Sequence, residues 1–389
     1  MVRLTGRLGS LPLLLAIAAG GCAQEPGALY TVLGTGVAGL GDEGEAPHET
    51  RLYMPMDVVL DGGERFVVDW NNNRIRRWTD DVVTTVIGSG VSGDGPYGVP
   101  ATESRLNHCT DVALAPDGRW LLADWHNHRL KWVELGGDIE IAYGTGELGY
   151  SGDGGPAEDA QLNYPVSVQF DSAGRLVVAD QGNNRVRRID GGVIETIVGT
   201  GLGTGFDEDG AALDRCIGAS PEGVIPCFTG DGGPATEATL NNTLGQSGVP
   251  MGRVELDEDD GLWIADTKSH VVRFVDPGTG LIDTVAGVGG EIGADDGDAL
   301  AATFNAPHDL ALAPDGAVYI ADTDNHCIRV LRDEVLETAA GVCGTPGYDG
   351  DGGAPTDALL RNPYGVAVDD EGIVYIADTF NHVVRAFRP

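Results

Sequence analysis

Short apolar runs that end in an aspartate recur along the chain, and each is followed by a polar turn. After the turn, apolar and basic residues alternate, with the period of a half-buried β-strand. The pattern therefore predicts two antiparallel strands joined by a tight turn in every such segment. The six segments are RFVVDWNNNRIRRW, RWLLADWHNHRLKWV, RLVVADQGNNRVRRI, GLWIADTKSHVVRFV, AVYIADTDNHCIRVL and IVYIADTFNHVVRAF.

These segments belong to a repeat of about 56 residues. An apolar stretch and a turn such as Ala115-Pro116-Asp117-Gly118 precede each segment, and a β-rich stretch ending in Gly-Thr-Gly or a similar sequence follows it. Each repeat is thus predicted to form four short strands. Because a four-stranded sheet cannot bury both of its faces alone, we expect an all-β fold, a six-bladed β-propeller with radially packed sheets.

The two ends of the chain are predicted to share the last blade. The sixth repeat stops at Pro389 after its third strand, whereas ALYTVLGTG near the N-terminus matches the fourth-strand segments ETIVGTG and DTVAGVG. Tyr30 to Leu33 should therefore complete the last blade and cover an edge that would otherwise be open.

Each repeat also carries an aspartate and, seven residues later, a basic residue. Because this pair runs through every repeat, we interpret it as structural rather than as a ring for an anionic ligand. The histidines of the same turn, at positions 128, 270, 326 and 382, receive the same interpretation. The aspartates are Asp69, Asp124, Asp180, Asp266, Asp322 and Asp378, and the basic residues are Arg76, Lys131, Arg187, Arg273, Arg329 and Arg385.

The repeat resembles the NHL repeat, which is named for an Asn-His-Leu signature. The resemblance rests on GYSGDGGPAEDAQLNYP before RLVVADQGNNRVRRI, on the C-terminal repeat, and on Asn-His pairs at 127–128, 325–326 and 381–382. It covers residues 29–389 and is strongest to bacterial and teneurin-type propellers. It implies the fold and leaves the function open, since NHL propellers serve as protein-binding, RNA-binding and carbohydrate-associated modules and, in the amidating lyase, as an enzyme.

The net charge of the chain argues against partners that carry phosphate groups. With 24 Lys and Arg against 60 Asp and Glu, the formal net charge is −36. Such a chain repels phosphate, so we expect no nucleic-acid partner and no docking on anionic lipid through a basic patch. The 60 glycines among 389 residues also exclude a helical bundle.

The first residues are predicted to be an export signal. Arg3 and Arg7 precede a short apolar run that is typical of a signal peptide rather than a membrane span. Ala-Gly-Gly-Cys at 19–22 resembles a bacterial lipobox, so we expect a lipoprotein signal peptide over 1–21, lipidation of Cys22 and a linker over 22–28. Ordinary signal-peptide cleavage near Ala18 or Ala19, which would leave Cys22 as a free thiol, is the alternative. The resulting localisation is the cell envelope, at the outer membrane or cell surface.

One repeat interval is about 30 residues longer than the others, and most of the extra residues form an insert at about 202–228. The insert contains Phe206 and Asp207, which we treat as ligand-binding candidates because long irregular loops often carry function. In an exported protein, Cys216 and Cys227 could form a disulfide, and so could Cys327 and Cys343, with Cys109 left over.

The glycine-rich loops offer weak calcium candidates. Carboxylates in Gly-Asp-Gly settings suit calcium, but each loop has too few of them for a dedicated site. We therefore expect a structural role, with no cofactor beyond weakly bound calcium. The candidates are Asp94, Asp153, Asp231 and Asp351.

Resemblance to the amidating lyase also points to the channel mouth, where Pro-His motifs of that enzyme supply a histidine metal site. The matching motif here is Pro307-His308. One histidine does not make a three-ligand zinc site, and the motifs of propeller lactonases and serine hydrolases are missing as well. We therefore predict no catalytic residue and regard the channel-mouth positions as ligand-binding candidates. They are His308, Tyr364, Met56, Thr110 and Met251, with Val166 in the third repeat.

Together these features predict an exported, lipid-anchored NHL propeller that acts as a non-enzymatic scaffold for a protein, glycan or small-molecule ligand. The alternative is a metal-dependent hydrolase or lyase with its site in the channel. The sequence does not fix the oligomeric state or the ligand.

Overall fold

A computed structural model describes residues 27–201, 228–242 and 250–389, which form six antiparallel sheets. Each sheet is one blade, and the blades are numbered in chain order. The inner strands are Pro55–Asp61, Cys109–Leu114, Pro165–Phe170, Val254–Leu256, Pro307–Leu312 and Gly365–Val368. The second strands are Glu64–Asp69, Trp120–Asp124, Leu176–Asp180, Leu262–Asp266, Val318–Asp322 and Val374–Asp378. The third strands are Arg74–Trp78, Arg129–Val133, Arg185–Asp190, Val271–Val275, Cys327–Arg332 and Val383–Phe387.

The outer strands complete the blades. They are Val83–Ile87, Asp138–Tyr143, Val193–Val198, Leu281–Ala286, Val335–Ala340 and, in blade six, Leu29–Leu33. Two-residue strands add an edge to blades two, four and five, namely Val99–Pro100, Gly233–Pro234 and Gly297–Asp298. A 3₁₀ turn joins the second and third strands of every blade, at Trp70–Asn72, Trp125–Asn127, Gln181–Asn183, Thr267–Ser269, Thr323–Asn325 and Thr379–Asn381. Further 3₁₀ turns lie in the connecting loops, at Ala157–Asp159, Ala235–Glu237 and Pro355–Asp357.

The blades close into a ring around an axis. Each inner strand contacts the inner strands of the two neighbouring blades, and the inner strand of blade six contacts that of blade one. We call the end where the inner strands begin, together with the 3₁₀ turns, the top face, and the opposite end the bottom face. The predicted six-bladed β-propeller is confirmed.

Blade six contains both ends of the described chain. Leu29–Leu33 pairs antiparallel with Val383–Phe387, with Leu29 opposite Phe387 and Leu33 opposite Val384. Leu29 and Leu33 are fully buried. The predicted ring closure is therefore confirmed, and the closing strand begins one residue earlier than expected.

The hydrophobic core lies between blades rather than inside one. One apolar cluster joins blades six and one through Leu33, Val58, Trp78 and Tyr375, and equivalent clusters fill the other interfaces. Burial of both faces of each sheet thus requires its neighbours, as expected for a radial arrangement.

The repeated aspartates hold the blades internally. In blade three, the Asp180 carboxylate accepts the backbone N–H of Asn163 at 2.7 Å and the amide of Asn183 at 2.8 Å, and it lies 3.4 Å from Arg187. The guanidinium of Arg187 is fully buried and lies 2.6 Å from Asp153 of the preceding loop. Because related contacts recur around the ring, the aspartates and basic residues form a structural ladder.

The residue that follows each 3₁₀ turn links one blade to the next. His270 has a left-handed backbone with φ of 59°, and its Nδ1 accepts the backbone N–H of Ala306 in blade five at 3.0 Å. Asn184 has φ of 49° at the equivalent position, and its Oδ1 accepts the N–H of Asn242 at 2.9 Å. We call these contacts the latches. They use Asn73, His128, Asn184, His270, His326 and His382.

The cysteines of blade five form the predicted second disulfide, Cys327–Cys343. Cys109 is a buried free thiol. Cys22, Cys216 and Cys227 lie outside the described residues, as does nearly all of the insert at 202–228. Within the described ranges, no helix is long and apolar enough to span a membrane.

Candidate functional site

The channel-mouth candidates lie buried at the top end of the axis. Met56, Thr110, Val166 and His308 occupy an irregularity at the start of the inner strand, where one extra residue interrupts the pairing. Tyr364 lies directly before the inner strand of blade six, at the corresponding position. These residues are at most 6% exposed. A ligand on the top face would therefore contact them only if the residues that cover them moved.

In blade four, the strand register in the structure is shifted by one residue from the register that alignment of the repeats predicts. The carbonyl of Arg253 accepts the N–H of Ala265, and Val254 pairs with Ile264. By comparison with Asp57, which pairs with Val68, this register makes Arg253 the equivalent of Asp57. The channel-mouth position of blade four is therefore Gly252, and Met251 lies one residue before it.

His308 is a buried imidazole that packs against Tyr364. It is 3% exposed, its ring centroid lies 4.4 Å from that of Tyr364, and neither ring nitrogen has a hydrogen-bond partner among the described residues. Burial, with Lys268 and Arg253 nearby, lowers the pKa of His308 to about 3. The ring is therefore neutral at physiological pH.

Below these residues, Arg253 crosses the axis. Its guanidinium lies 2.8 Å from the Asp57 carboxylate and 3.4 Å from that of Asp309, and it donates to the carbonyl of Thr110. These partners come from blades one, five and two, so a single side chain from blade four bridges the ring. Despite burial, the surrounding carboxylates raise the pKa of Arg253, which keeps it charged.

A third aspartate, Asp111, completes this ionic cluster around the axis. Its carboxylate accepts the backbone N–H of Val168 in blade three at 2.8 Å, and the Asp309 carboxylate accepts that of Val366 in blade six at 2.9 Å. Burial raises the pKa of Asp57 and Asp309. The cluster therefore joins blades across the axis, a role that the sequence analysis missed.

A cavity of about 290 Å³ lies between this ionic cluster and the bottom face. Glu255 and Gln169 line it, with the Gln169 amide donating to the Glu255 carboxylate at 2.9 Å. Burial and the neighbouring aspartates raise the pKa of Glu255 well above its usual range. Arg253 separates this acidic cavity from the apolar residues at the top of the axis.

At the top face, aromatic rings and histidines form a continuous cluster over blades one to three, in which the tryptophans are buried and the other rings are half-buried. Trp70 and Trp125 have ring centroids 6.1 Å apart, and Tyr164 lies 4.9 Å from Trp125. His108 packs on Trp70 at 4.5 Å, and His126 packs on Trp125 at 4.2 Å. We call these five residues the aromatic crescent. Burial lowers the pKa of both histidines, that of His126 to about 4.

The crescent departs from the repeat that generates it. The residue after the ladder aspartate is threonine in blades four to six but tryptophan in blades one and two. Thr323 and Thr379 donate to the carbonyls of Pro363 and Pro55 in the next blade. The tryptophans lack this contact. Trp125 instead donates from Nε1 to Oε1 of Gln181 in blade three at 3.0 Å, whereas the buried Nε1–H of Trp70 has no hydrogen-bond partner among the described residues. In the sequence, the change from IADT to VVDW or LADW could have indicated that blades one and two differ from the other blades.

The other candidates have different surroundings. Phe206 and Asp207 lie outside the described residues. The loop aspartates each contact the buried cation of their blade, with distances of 3.0 Å for Asp94 to Lys131 and 2.6 Å for Asp231 to Arg273. Asp153 and Asp351 make the same contact. In the described part of the chain, no group of three or more His, Cys, Asp or Glu is arranged to hold a metal ion.

Comparison with known proteins finds an NHL repeat and relatives that contain such repeats. The NHL repeat matches residues 304–331, in blade five. NHL repeat-containing protein 2 of Bos taurus is 26% identical over 70% of this chain and 37% of its own length. Teneurin-1 of Mus musculus is 23% identical over 93% of this chain and 13% of its own length. The chain thus spans less than half the length of either relative.

A solved structure shows the same fold. An auxiliary nutrient binding protein from Bacteroides thetaiotaomicron VPI-5482 has a TM-score of 0.61 at 16% identity, over 92% of this chain and 75% of that one. The ring of six sheets is thus a six-bladed β-propeller that contains an NHL repeat in blade five and is similar to NHL repeat-containing protein 2 and to teneurin-1.

Proposed function

We propose that the protein is a non-enzymatic binding module whose ligand, a protein, glycan or small molecule, sits on the top face against the aromatic crescent. The observation that carries this proposal is the replacement of threonine by tryptophan in blades one and two. The fold does not require tryptophan there, because three blades manage with threonine. Trp70 and Trp125 are themselves buried, at 9% and 2% exposure. They support the half-buried rings of His108, His126 and Tyr164, which present the surface to a ligand. Aromatic rings are enriched where proteins bind partners.

The ionic cluster argues against the alternative, a metal-dependent hydrolase or lyase in the channel. Arg253 places a permanent positive charge on the axis, bonded to Asp57 and Asp309. A divalent metal ion there would face this charge and would compete for the same carboxylates. His308, the one histidine among the channel-mouth positions, is buried beside Tyr364 with Lys268 and Arg253 nearby, and it belongs to no metal-binding group of three or more His, Cys, Asp or Glu side chains in the described part of the chain.

The test compares wild type with a Trp70→Thr/Trp125→Thr variant, which copies blades four to six. Both proteins are immobilised and exposed to envelope extract from the producing cell, and bound proteins and glycans are identified. We expect one or more species to be retained by wild type and lost in the variant. A matched deletion of 202–227 separates the contribution of the insert. Identical retention by wild type and the crescent variant would refute the proposal.

A second arm addresses catalysis. Turnover of lactone, ester and hydroxyglycine substrates is measured for wild type and His308→Ala. We expect no turnover by either protein. An activity of wild type that disappears in His308→Ala would establish the enzyme instead.

We further propose that the module is exported and anchored by lipid at Cys22, as its N-terminal sequence suggests. Metabolic labelling with a fatty acid should mark wild type but not Cys22→Ser, and the variant should move to the soluble fraction. Unchanged membrane retention of Cys22→Ser would rule the anchor out.

A further inference from the structure

Two histidines of the aromatic crescent present ring nitrogens to each other. The Nδ1 atoms of His108 and His126 are 3.0 Å apart, and the Oδ1 of Asn107 lies 3.1 Å from Nδ1 of His108. Both rings are half-buried, so they remain accessible from the top face. Nδ1 of His108 thus faces both a second imidazole nitrogen and an amide oxygen.

The surrounding structure fixes both rings. The backbone N–H of His108 donates to Oδ1 of Asn73 at 2.9 Å, and that of His126 donates to the carbonyl of Asn107 at 3.1 Å. Each ring also packs against its tryptophan. The hydroxyl of Ser92 lies 2.9 Å from Oδ1 of Asn107, which positions the amide. Little conformational freedom remains to be lost when a ligand binds.

The fold does not require this pair. In blade one the equivalent residues are Met54 and Asn71, whose amide donates to the methionine sulfur. Blade three has Tyr164 and Gly182 at these two positions. Among the described residues, blade two is where histidine occupies both positions.

We propose that His108 and His126 form a chelate for a divalent transition-metal ion on the top face. Two nitrogens bound at about 2.0–2.1 Å to a tetrahedral ion are separated by about 3.3 Å, close to the separation found here. Imidazole suits copper, nickel and zinc, and copper binds tightest in this series. Asn107 and solvent would fill the remaining positions.

Metal binding requires a change of tautomer in any ring whose hydrogen is on Nδ1. A hydrogen bond between the two Nδ1 atoms uses one N–H and one lone pair, whereas the metal needs both lone pairs. The hydrogen on Nδ1 therefore transfers through solvent to Nε2 of the same ring. Both imidazoles stay neutral and nothing is oxidised or reduced. The competing account is a simple hydrogen bond between the rings, which gives no metal affinity.

The experiment titrates Cu²⁺, Ni²⁺ and Zn²⁺ into the purified protein without a histidine tag, in a non-coordinating buffer. Calorimetry gives affinity and stoichiometry, and tryptophan fluorescence reports the site, because Trp70 and Trp125 contact the two rings. We expect one site per chain, Cu²⁺ bound most tightly, and two nitrogen donors in the electron paramagnetic resonance spectrum of the copper complex.

The variants come from the repeat itself. Asn71 occupies the position of His126, and Asn362 that of His108, so His126→Asn and His108→Asn should both fold, which thermal melting checks. Each should weaken binding by about tenfold or more, since ligands and their supporting groups are worth at least that factor. His270→Asn, in blade four, should leave the affinity unchanged.

Failure of wild type to bind any of the three ions below millimolar concentration would overturn the proposal. Binding that survives in both His108→Asn and His126→Asn would overturn it as well, because the site would then lie elsewhere. The proposed ligand-binding function stands apart from these outcomes, since the Trp70→Thr/Trp125→Thr variant tests it with both histidines present.

Discussion

Replacing His270 by asparagine should make the ring more resistant to acid without weakening it at neutral pH. The latch formed by His270 requires a lone pair on Nδ1, which accepts the N–H of Ala306. Protonation at that atom removes the acceptor. Asn184 makes the same contact in blade three with nearly the same backbone φ, so asparagine should preserve the latch and abolish its titration.

The magnitude follows from proton linkage. Burial lowers the pKa of His270 from 6.5 to about 4, so below pH 6.5 the unfolded chain binds a proton that the folded chain excludes. The contribution to stability is therefore complete above pH 6.5 and is lost as the pH falls toward 4. For these two pKa values the loss at pH 5 is about 2 kcal/mol. Because the ring is partly exposed, solvent screening reduces this to about 1–2 kcal/mol.

The assay is thermal or denaturant unfolding of wild type and His270→Asn at pH 7.5 and pH 5. Every other titrating group is common to both proteins, so the difference between them isolates His270. We expect equal stability at pH 7.5 and an advantage for His270→Asn at pH 5, about 1–3 °C in Tm for a chain of this size. The reasoning is refuted if both proteins lose the same stability between the two pH values.

Three further predictions concern the ring itself. Arg385→Met should cost about 3–5 kcal/mol, because it leaves the buried carboxylate of Asp378 without its cation. The exposed ion pair of Arg388 should contribute less than about 1 kcal/mol in an Arg388→Ala control, and chemical denaturation measures both. Cys327→Ser should cost about 3 kcal/mol, because the disulfide to Cys343 closes a loop with a sequence separation of 16, and a reductant should destabilise wild type but not this variant. Deletion of 23–34 should expose the edge of blade six and cause aggregation, which light scattering detects. Melting of the truncated protein at the wild-type temperature would contradict closure of the ring by the N-terminal strand.

The fold was predictable because six copies of the repeat carry the same sequence pattern. An aspartate at a strand end, a basic residue seven positions later and a glycine-rich loop have the same surroundings in each copy, so alignment of the copies revealed the blades. The closing strand and the Cys327–Cys343 bridge followed from the same alignment. The latches were visible in the sequence as Asn or His, although their partners in the next blade were not.

The site was less predictable, because it depends on where copies differ and on contacts across the axis. Arg253 was missed because the blade-four alignment was one residue out, which placed Met251 at the channel mouth. Its partners Asp57 and Asp309 follow the aligned positions Met56 and His308 by one residue, so the acidic character of the axis went unnoticed. The tryptophans were visible in the sequence as exceptions, but only the structure shows that both contact histidines.

The bottom face is where the chain enters the ring. The backbone N–H of Gly27 donates to the carbonyl of Arg388 at 2.9 Å, and this contact lies at the end opposite the 3₁₀ turns. A lipid at Cys22 would be connected to Gly27 through residues 23–26, which reach about 14 Å when extended. The anchor would therefore turn the acidic cavity toward the bilayer. The aromatic crescent would point away from the lipid, into the compartment from which a partner arrives.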